Sequence, residues 1–213
     1  MKLIIFDVDG VLEKEEEIMK RRKEALAQAI ADKLEVSFKE GFKKFQDAKK
    51  NLPKEKKTTS AYLFMEFGFT RKKYFEVLDG VDPEGIIDRH DNCLEMLKEL
   101  KKRGYTVITY TNSSKKSSVK TLKVLGIHKY IDRVYSTEEF TESKPSTKNI
   151  LKMVKDMGFD KKNTVMVGNS LEKDITPPYE LGIKAILFDS YKKYKSIKEG
   201  TVIHDLIEVL DLV

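Results

Sequence analysis

The chain has no tryptophan, one cysteine, three histidines and five prolines in 213 residues. A single cysteine, Cys93, excludes an internal disulfide and a cysteine-based zinc cluster. It shares a helical face with Leu97 and Leu100, so packing is its expected role. His90, His128 and His204 lie far apart and lack the spacing of a metal pair. No apolar run approaches the roughly 20 residues that a helix needs to cross a bilayer. The first residues already read as a strand, without the basic flank, apolar stretch and small-residue site of a secretory signal. A cytoplasmic address with no membrane partner is the expectation. Charge of one sign is also missing, since 41 basic side chains face 35 acidic ones for a net charge of +6. Such a mixture reads as a solvated surface, and Lys192, Lys193 and Lys195 belong to it. No recognised nucleic-acid motif appears, so no nucleic-acid partner is expected. A mildly positive field does favour small anions. Hydrophobic residues at 40% suit a globular protein of this length, either monomer or homodimer.

What is present alternates between two patterns. Leu3-Ile4-Ile5-Phe6 is a short apolar run ending in a turn, which predicts a buried strand. From residue 88 onward, helical and strand patterns alternate. Helices near 88–103, 114–125 and 146–157 end at Gly104, Gly126 and Gly158. Strands are expected at 105–110, 133–136, 164–167, 184–188 and 201–203, with a helix between the fourth and fifth running toward Gly182 and a last helix at the end. Repeated units of this kind predict an α/β fold with a Rossmann-like parallel sheet covered on both faces. Residues 14–85 differ. They are charge-rich, and Ile18, Leu26, Ala29 and Ile30 recur at helical spacing, as do Phe38, Phe42 and Phe45. Asn51-Leu52-Pro53 and the lysine run behind it break the pattern. The expectation is a core of residues 1–13 and 86–213 with a helical domain, 14–85, inserted after the first strand. The insert's aromatics are expected to form its own core.

In an open parallel sheet, ligands bind outside the carboxyl ends of the strands. The residues just past each predicted strand are therefore the candidates. Asp7 and Asp9 follow the first, Thr111, Asn112 and Ser113 the second, Lys144 comes beyond the third, and Gly168, Asn169, Ser170 and Asp174 follow the fourth. Two carboxylates at the mouth of a buried strand are costly unless paired. Asp7 is an oxygen nucleophile that can attack phosphorus. A dianionic phosphate repels a carboxylate, so a cation must bridge them, and Mg2+ suits carboxylate, carbonyl and water ligands. Asp7, the carbonyl of Asp9, and Asn169 or Asp174 can supply those ligands. Asp9, two residues from Asp7, can protonate a leaving oxygen and later take a proton from water. Thr111 offers a hydroxyl, and the backbone at 112–114, including Asn112, offers N–H groups at a helix start. Lys144 would neutralise charge shared by Asp7 and the phosphoryl group. Gly10 permits a tight turn with close backbone approach. Each has a plainer reading: a turn for Asp9, a helix cap for Thr111, a solvated lysine for Lys144, loop support for Asp174. Their convergence on one rim outweighs those readings taken singly.

Here the chain resembles the haloacid dehalogenase-like superfamily, and within it the magnesium-dependent phosphatases. Asp7-Val8-Asp9-Gly10-Val11, Thr111-Asn112-Ser113, Lys144-Pro145 and Gly168-Asn169-Ser170-Leu171-Glu172-Lys173-Asp174 resemble its four motifs in order. The resemblance implies a mobile helical cap of the first type in the insert. It implies Asp7 as nucleophile, Asp9 as acid and base, Thr111 and Lys144 as phosphate binders, and the fourth motif as metal support. The expected reaction is hydrolysis of a small phosphorylated metabolite through an aspartyl-phosphate; nucleotides, sugar phosphates and phosphoglycolate all stay open as substrates. Asn169 departs from the pattern, which usually has Asp there, so Asp174 or Glu172 is expected to share the coordination. A metal-independent 2-haloacid dehalogenase is the alternative enzyme; the resemblance says that branch lacks the second aspartate, which Asp9 supplies here. A phospho-acceptor domain like a response regulator would be shorter, with its acceptor after a later strand. A non-catalytic protein binding a phosphometabolite is the remaining alternative, favoured only by Asn169.

Overall fold

A computed structural model describes residues 2–52 and 60–213. The chain divides into two compact units, Met1–Glu15 with Ile87–Val213, and Glu16–Ile86.

The first unit is a six-stranded sheet in the order β3-β2-β1-β4-β5-β6. The strands are β1 (Leu3–Phe6), β2 (Thr106–Thr111), β3 (Arg133–Ser136), β4 (Thr164–Gly168), β5 (Lys184–Phe188) and β6 (Thr201–Ile203). Every pairing is parallel. Parallel strands need crossover connections, which place helices on both faces and leave no wet face. That explains why β1 is apolar at every position and why all four of its residues are fully buried. One face packs Leu3, Ile5, Ile108, Tyr110 and Met166 against Ile150, Met153 and Val154 of α7 (Thr147–Asp156). The chain moves from β1 outward to β2 and β3, then returns to β1's other side with β4. The order therefore reverses at β1, and a crevice opens beyond its carboxyl end.

The crossover helices are amphipathic and end where the sequence predicts. α7 stops before Gly158, whose φ of +74° closes the helix in a conformation that L side chains rarely adopt. Two elements depart from expectation. The helix expected from residue 88 begins only at Cys93, as α5 (Cys93–Lys102). Residues before it are engaged otherwise: Lys14 N–H donates to the Asp88 carbonyl at 2.8 Å, and Glu13 bridges to Arg89. Asn92 then takes a left-handed φ of +59°, which no helix interior accommodates. Beyond β4 the chain first makes a π-type turn over Leu171–Ile175 and only then α8 (Thr176–Glu180). Such turns recur where a side chain must be aimed at a site.

The second unit is helical: α1 (Glu16–Leu34), α2 (Phe38–Asn51), α3 (Ser60–Glu66) and α4 (Arg71–Asp79). Ser37 and Thr70 cap α2 and α4 by accepting the Glu40 and Lys73 N–H groups. Leu26, Ile30, Phe45, Leu63, Phe64, Tyr74, Phe75 and Leu78 form the unit's own core. Phe64 stacks on Phe69 at 4.1 Å between centroids, while of the spaced set Phe38, Phe42 and Phe45 only Phe45 enters the core and Phe38 is exposed. The lysine run behind Pro53 lies outside the described residues. α1 and α2 approach closely at Gly41, where an added Cβ would stand 2.6 Å from Ala31 Cβ and 2.9 Å from the Ala27 carbonyl oxygen. Gly41→Ala is expected to cost about 1–3 kcal/mol through this overpacking. A lower urea midpoint at unchanged slope checks it; an unchanged midpoint contradicts the close approach.

Candidate active site

The ladder carries Asp7 to the rim. Its N–H donates to the Val167 carbonyl of β4 at 2.9 Å, one residue past the end of β1. Its Oδ1 accepts the Val8 N–H at 2.7 Å and lies 2.9 Å from Lys144 Nζ. Lys144 is 2% exposed, and its Nζ also lies 2.8 Å from Asp174 Oδ1 and 5.0 Å from the centre of the Tyr110 ring. Asp174 is fully buried, and its second oxygen accepts the Ser170 N–H at 3.1 Å. This approach depends on Gly168 having no side chain, since a Cβ there would fall 2.1 Å from Asp174 Cβ. Asn112 anchors the lysine's backbone, its Oδ1 accepting the Lys144 N–H at 2.8 Å.

Asp9 has different company. Its Oδ2 accepts the Thr111 hydroxyl at 3.0 Å and the Ser113 hydroxyl at 2.8 Å. The Ser113 N–H in turn donates to Thr111 Oγ1 at 3.0 Å. Its backbone carbonyl accepts from Asn169 Nδ2 at 3.3 Å. Gly10 makes that contact possible: with φ at +76° it turns the chain, and a Cβ there would lie 2.1 Å from Asn169 Nδ2.

Burial dominates the electrostatics of Asp7 and pushes its carboxyl up to about 7; Lys144 opposes this, while Asp174 and Asp9 add to it. Burial works the other way on Lys144, favouring its neutral form, but Asp174 and Asp7 outweigh it and hold the ammonium above the usual lysine range. One buried cation thus faces two carboxylates. The surplus negative charge invites a second cation. Asp174 has both oxygens engaged within the protein, so Asp7, the Asp9 carbonyl and the Asn169 amide are the donors with outward reach. Among the described residues no cluster of three or more His, Cys, Asp or Glu side chains is arranged to hold a metal. A carboxylate, a carbonyl and an amide oxygen completed by water or phosphate nevertheless suit Mg2+, which seldom takes an all-protein cage. The residues present fit that ion. The amide presents its NH2 to Asp9, and the opposite orientation of the same group presents Oδ1 instead.

The residues singled out from the sequence gather at this rim except Glu172, which is exposed and joins neither cluster. Asp7, Lys144 and Asp174 form one cluster; Asp9, Thr111, Gly10 and Asn169 form the other; Asn112 acts on the Lys144 loop. Ser113 was named at the rim without a role, and Ser136 was not singled out. Ser136 donates to the Ser113 carbonyl at 2.6 Å from the end of β3. The run Thr111-Asn112-Ser113-Ser114 was the only available signal for Ser113, and nothing in the sequence pointed to Ser136.

The raised carboxyl has a thermodynamic signature. Without metal, folded Asp7 keeps its proton up to about 7, whereas the unfolded chain releases it near 3.8. The folded state binds more protons between those values, so Asp7 subtracts stability progressively as pH rises through that window. In chelator, the melting temperature of Asp7→Asn relative to the unaltered protein should therefore climb from pH 4 to pH 7 and then level off. A flat difference contradicts the assignment.

Among known proteins, the glyceraldehyde 3-phosphate phosphatase of Methanocaldococcus jannaschii is 28% identical over an alignment covering 100% of this chain and 97% of that one. Among solved structures, a HAD phosphatase from Thermococcus onnurineus matches at a TM-score of 0.75 and 21% identity, over 100% of this chain and 97% of its own. A 2-haloacid dehalogenase from Pseudomonas syringae pv. Tomato DC3000 matches at 0.69 and 18%, over 100% and 97%. These two structures speak to the fold alone, and they show that the fold by itself does not choose between the two chemistries. The family profile described as haloacid dehalogenase-like hydrolase matches residues 4–188, a span that holds every motif described above, and the chain belongs to that family.

Proposed function

We propose that the protein is a magnesium-dependent phosphatase that hydrolyses a small phosphomonoester through an aspartyl-phosphate on Asp7. The observation that carries this reading is the unlike company of the two aspartates. Asp7 lies against a buried ammonium, while Asp9 is held by two hydroxyls. Neighbouring carboxyl groups in different environments suit different roles.

In this reading the Asp7 carboxylate attacks phosphorus and the bond to the leaving oxygen breaks. Asp9 gives that oxygen its proton. Water then attacks the same phosphorus, Asp9 takes the water's proton, and the Asp7 carboxylate is released. Lys144 stays charged throughout and offsets negative charge on Asp7 and the phosphoryl oxygens. Asp174 and Asn112 hold Lys144 in place by side chain and backbone respectively. Mg2+, held by Asp7, the Asp9 carbonyl and Asn169, would screen carboxylate from phosphate and favour the ionised form of Asp7. We assign Asp174 to Lys144 rather than to the cation, because both its oxygens have partners inside the protein. Residues 16–86 would serve as the cap that selects the leaving group. Similarity to the glyceraldehyde 3-phosphate phosphatase of Methanocaldococcus jannaschii makes glyceraldehyde 3-phosphate the first substrate to try. We place the protein in the cytoplasm, acting on a soluble metabolite.

Phosphate release from a panel of phosphorylated metabolites, with and without Mg2+, tests the reading. Turnover should require the ion. Asp7→Asn should abolish it, and Asp9→Asn should slow it by about 10²- to 10⁴-fold, the usual worth of a general acid or base. Halide release from 2-haloacids without Mg2+ would instead identify a dehalogenase, and phosphometabolite binding without turnover a sensor. Asn169→Asp should preserve or tighten Mg2+ binding, read from the magnesium-dependent rise in melting temperature; weaker binding would remove Asn169 from the cation's ligands.

A further inference from the structure

Ser113 stands directly beside the proposed acid and base. Three observations show what its hydroxyl does. First, helix α6 (Lys115–Val124) is already capped by Ser114, whose Oγ accepts the Ser117 N–H at 3.0 Å, so the Ser113 hydroxyl is not needed there. Second, that hydroxyl donates to Asp9 Oδ2 at 2.8 Å, and the backbone N–H of the same residue donates to Thr111 Oγ1 at 3.0 Å. Occupying Thr111 as an acceptor leaves the threonine's own proton to face Asp9, which it does at 3.0 Å. Third, Ser113 is itself held: it is 6% exposed, and its carbonyl accepts the Ser136 hydroxyl at 2.6 Å, with Ser136 fully buried at the end of β3. A chain of contacts thus runs from β3 through the β2 rim to a single oxygen of Asp9.

We propose that Ser113 is a positioning residue for Asp9. Two hydroxyls on Oδ2 hold the carboxyl plane in one orientation, and so aim the carboxyl for proton delivery. A carboxyl torsion next to the backbone is broad and shallow, so a carboxyl without such contacts samples many orientations. Proton transfer needs heavy atoms at hydrogen-bond distance, and misaimed groups forfeit much of the effect. Ser113 acts on proton delivery, not on phosphate binding or attack. The inference rests on the phosphatase reading and on Asp9 as its acid.

Proton delivery matters only for a poor leaving group. The test compares kcat/KM, which covers steps through alcohol release, for p-nitrophenyl phosphate and for glyceraldehyde 3-phosphate or another alkyl phosphate that the unaltered enzyme turns over. Ser113→Ala should lower kcat/KM for the alkyl ester by about 10- to 100-fold, and for the aryl ester by no more than about 3-fold, a fraction of the general-acid effect. The loss should sit in kcat, with KM nearly unchanged. Ser113→Thr, which keeps the donor, should recover most of the activity. Ser113→Cys, of similar volume but a weak donor, carries the same comparison if the alanine variant does not fold. Equal losses on both esters, no loss on either, or a loss confined to KM would overturn the proposal while leaving the phosphatase reading intact. An unaltered protein inactive on every phosphate ester would overturn both.

Discussion

Lys144 is the constraint from which the rest of the rim follows. An ammonium with 2% exposure survives inside a protein only when carboxylates take the place of water around it. Asp174 and Asp7 do so at 2.8 and 2.9 Å, and neither can leave without stranding the charge. Asp174 requires Gly168 to be without a side chain and takes the Ser170 N–H for its other oxygen. The lysine's backbone requires Asn112. The cluster therefore ties the end of β4, the loop before α7 and the end of β2 to the first residue past β1. Because two carboxylates share one cation, a negative surplus remains at Asp7. Burial above all, with Asp174 and Asp9 adding to it, makes the residue hard to ionise in isolation, and the surplus makes it a natural neighbour for a dication.

Asp9 is governed by hydroxyls instead. It sits two residues from Asp7, yet its carboxylate accepts two hydroxyls from the β2 side, while its carbonyl meets Asn169 beyond β4. The division follows from topology. β1 is flanked by β2 on one side and β4 on the other, so residues leaving its end can be supplied from two directions. Adjacent strands lie about 5 Å apart, which brings side chains distant in sequence within one hydrogen bond of each other. The β4 side delivers Asp174 and the Asn169 amide, the β2 side delivers the Thr111 and Ser113 hydroxyls, and the segment before α7 delivers the Lys144 ammonium. Two aspartates of the same chemical type thereby acquire different characters, and an acid, a base and a nucleophile can coexist in a small volume.

Much of this was legible before any coordinates. The strands are written in short runs of β-forming residues bounded by turns, and parallel packing buries the central β1 and β4 along their whole length while the edge strands β3 and β6 keep an exposed first residue. The rim residues were legible because parallel strands all point the same way, so polar groups just past each strand must share an edge. Asp7, Asp9 and Thr111 follow from that rule without knowledge of any contact, whereas Lys144, well beyond the end of β3, stood out only by its place before Pro145 and by the resemblance of the motifs. The rule fails where a residue's partner comes from outside its own segment. The start of α5 was placed too early because nothing local to Asp88 and Arg89 announces that their backbone groups are taken by Lys14 and Glu13. Asp174 could be read as a loop support or a metal ligand, since nothing local to it announces Lys144.

The sequence by itself determined the alternation of strand and helix, the helical character of residues 16–86 as a separate unit, and the set of side chains available at the sheet's carboxyl edge. These are properties of period, turn chemistry and residue type, which act over a few positions. Tertiary structure alone decided that Asp174 shares the ammonium with Asp7 and that Asp9 meets the hydroxyls, and gave Ser113 and Ser136 their contacts. Such choices depend on strand order and on gaps left by Gly10 and Gly168, and a hydrogen bond or ion pair exists only when both partners arrive within about 3 Å. No local pattern encodes that arrival.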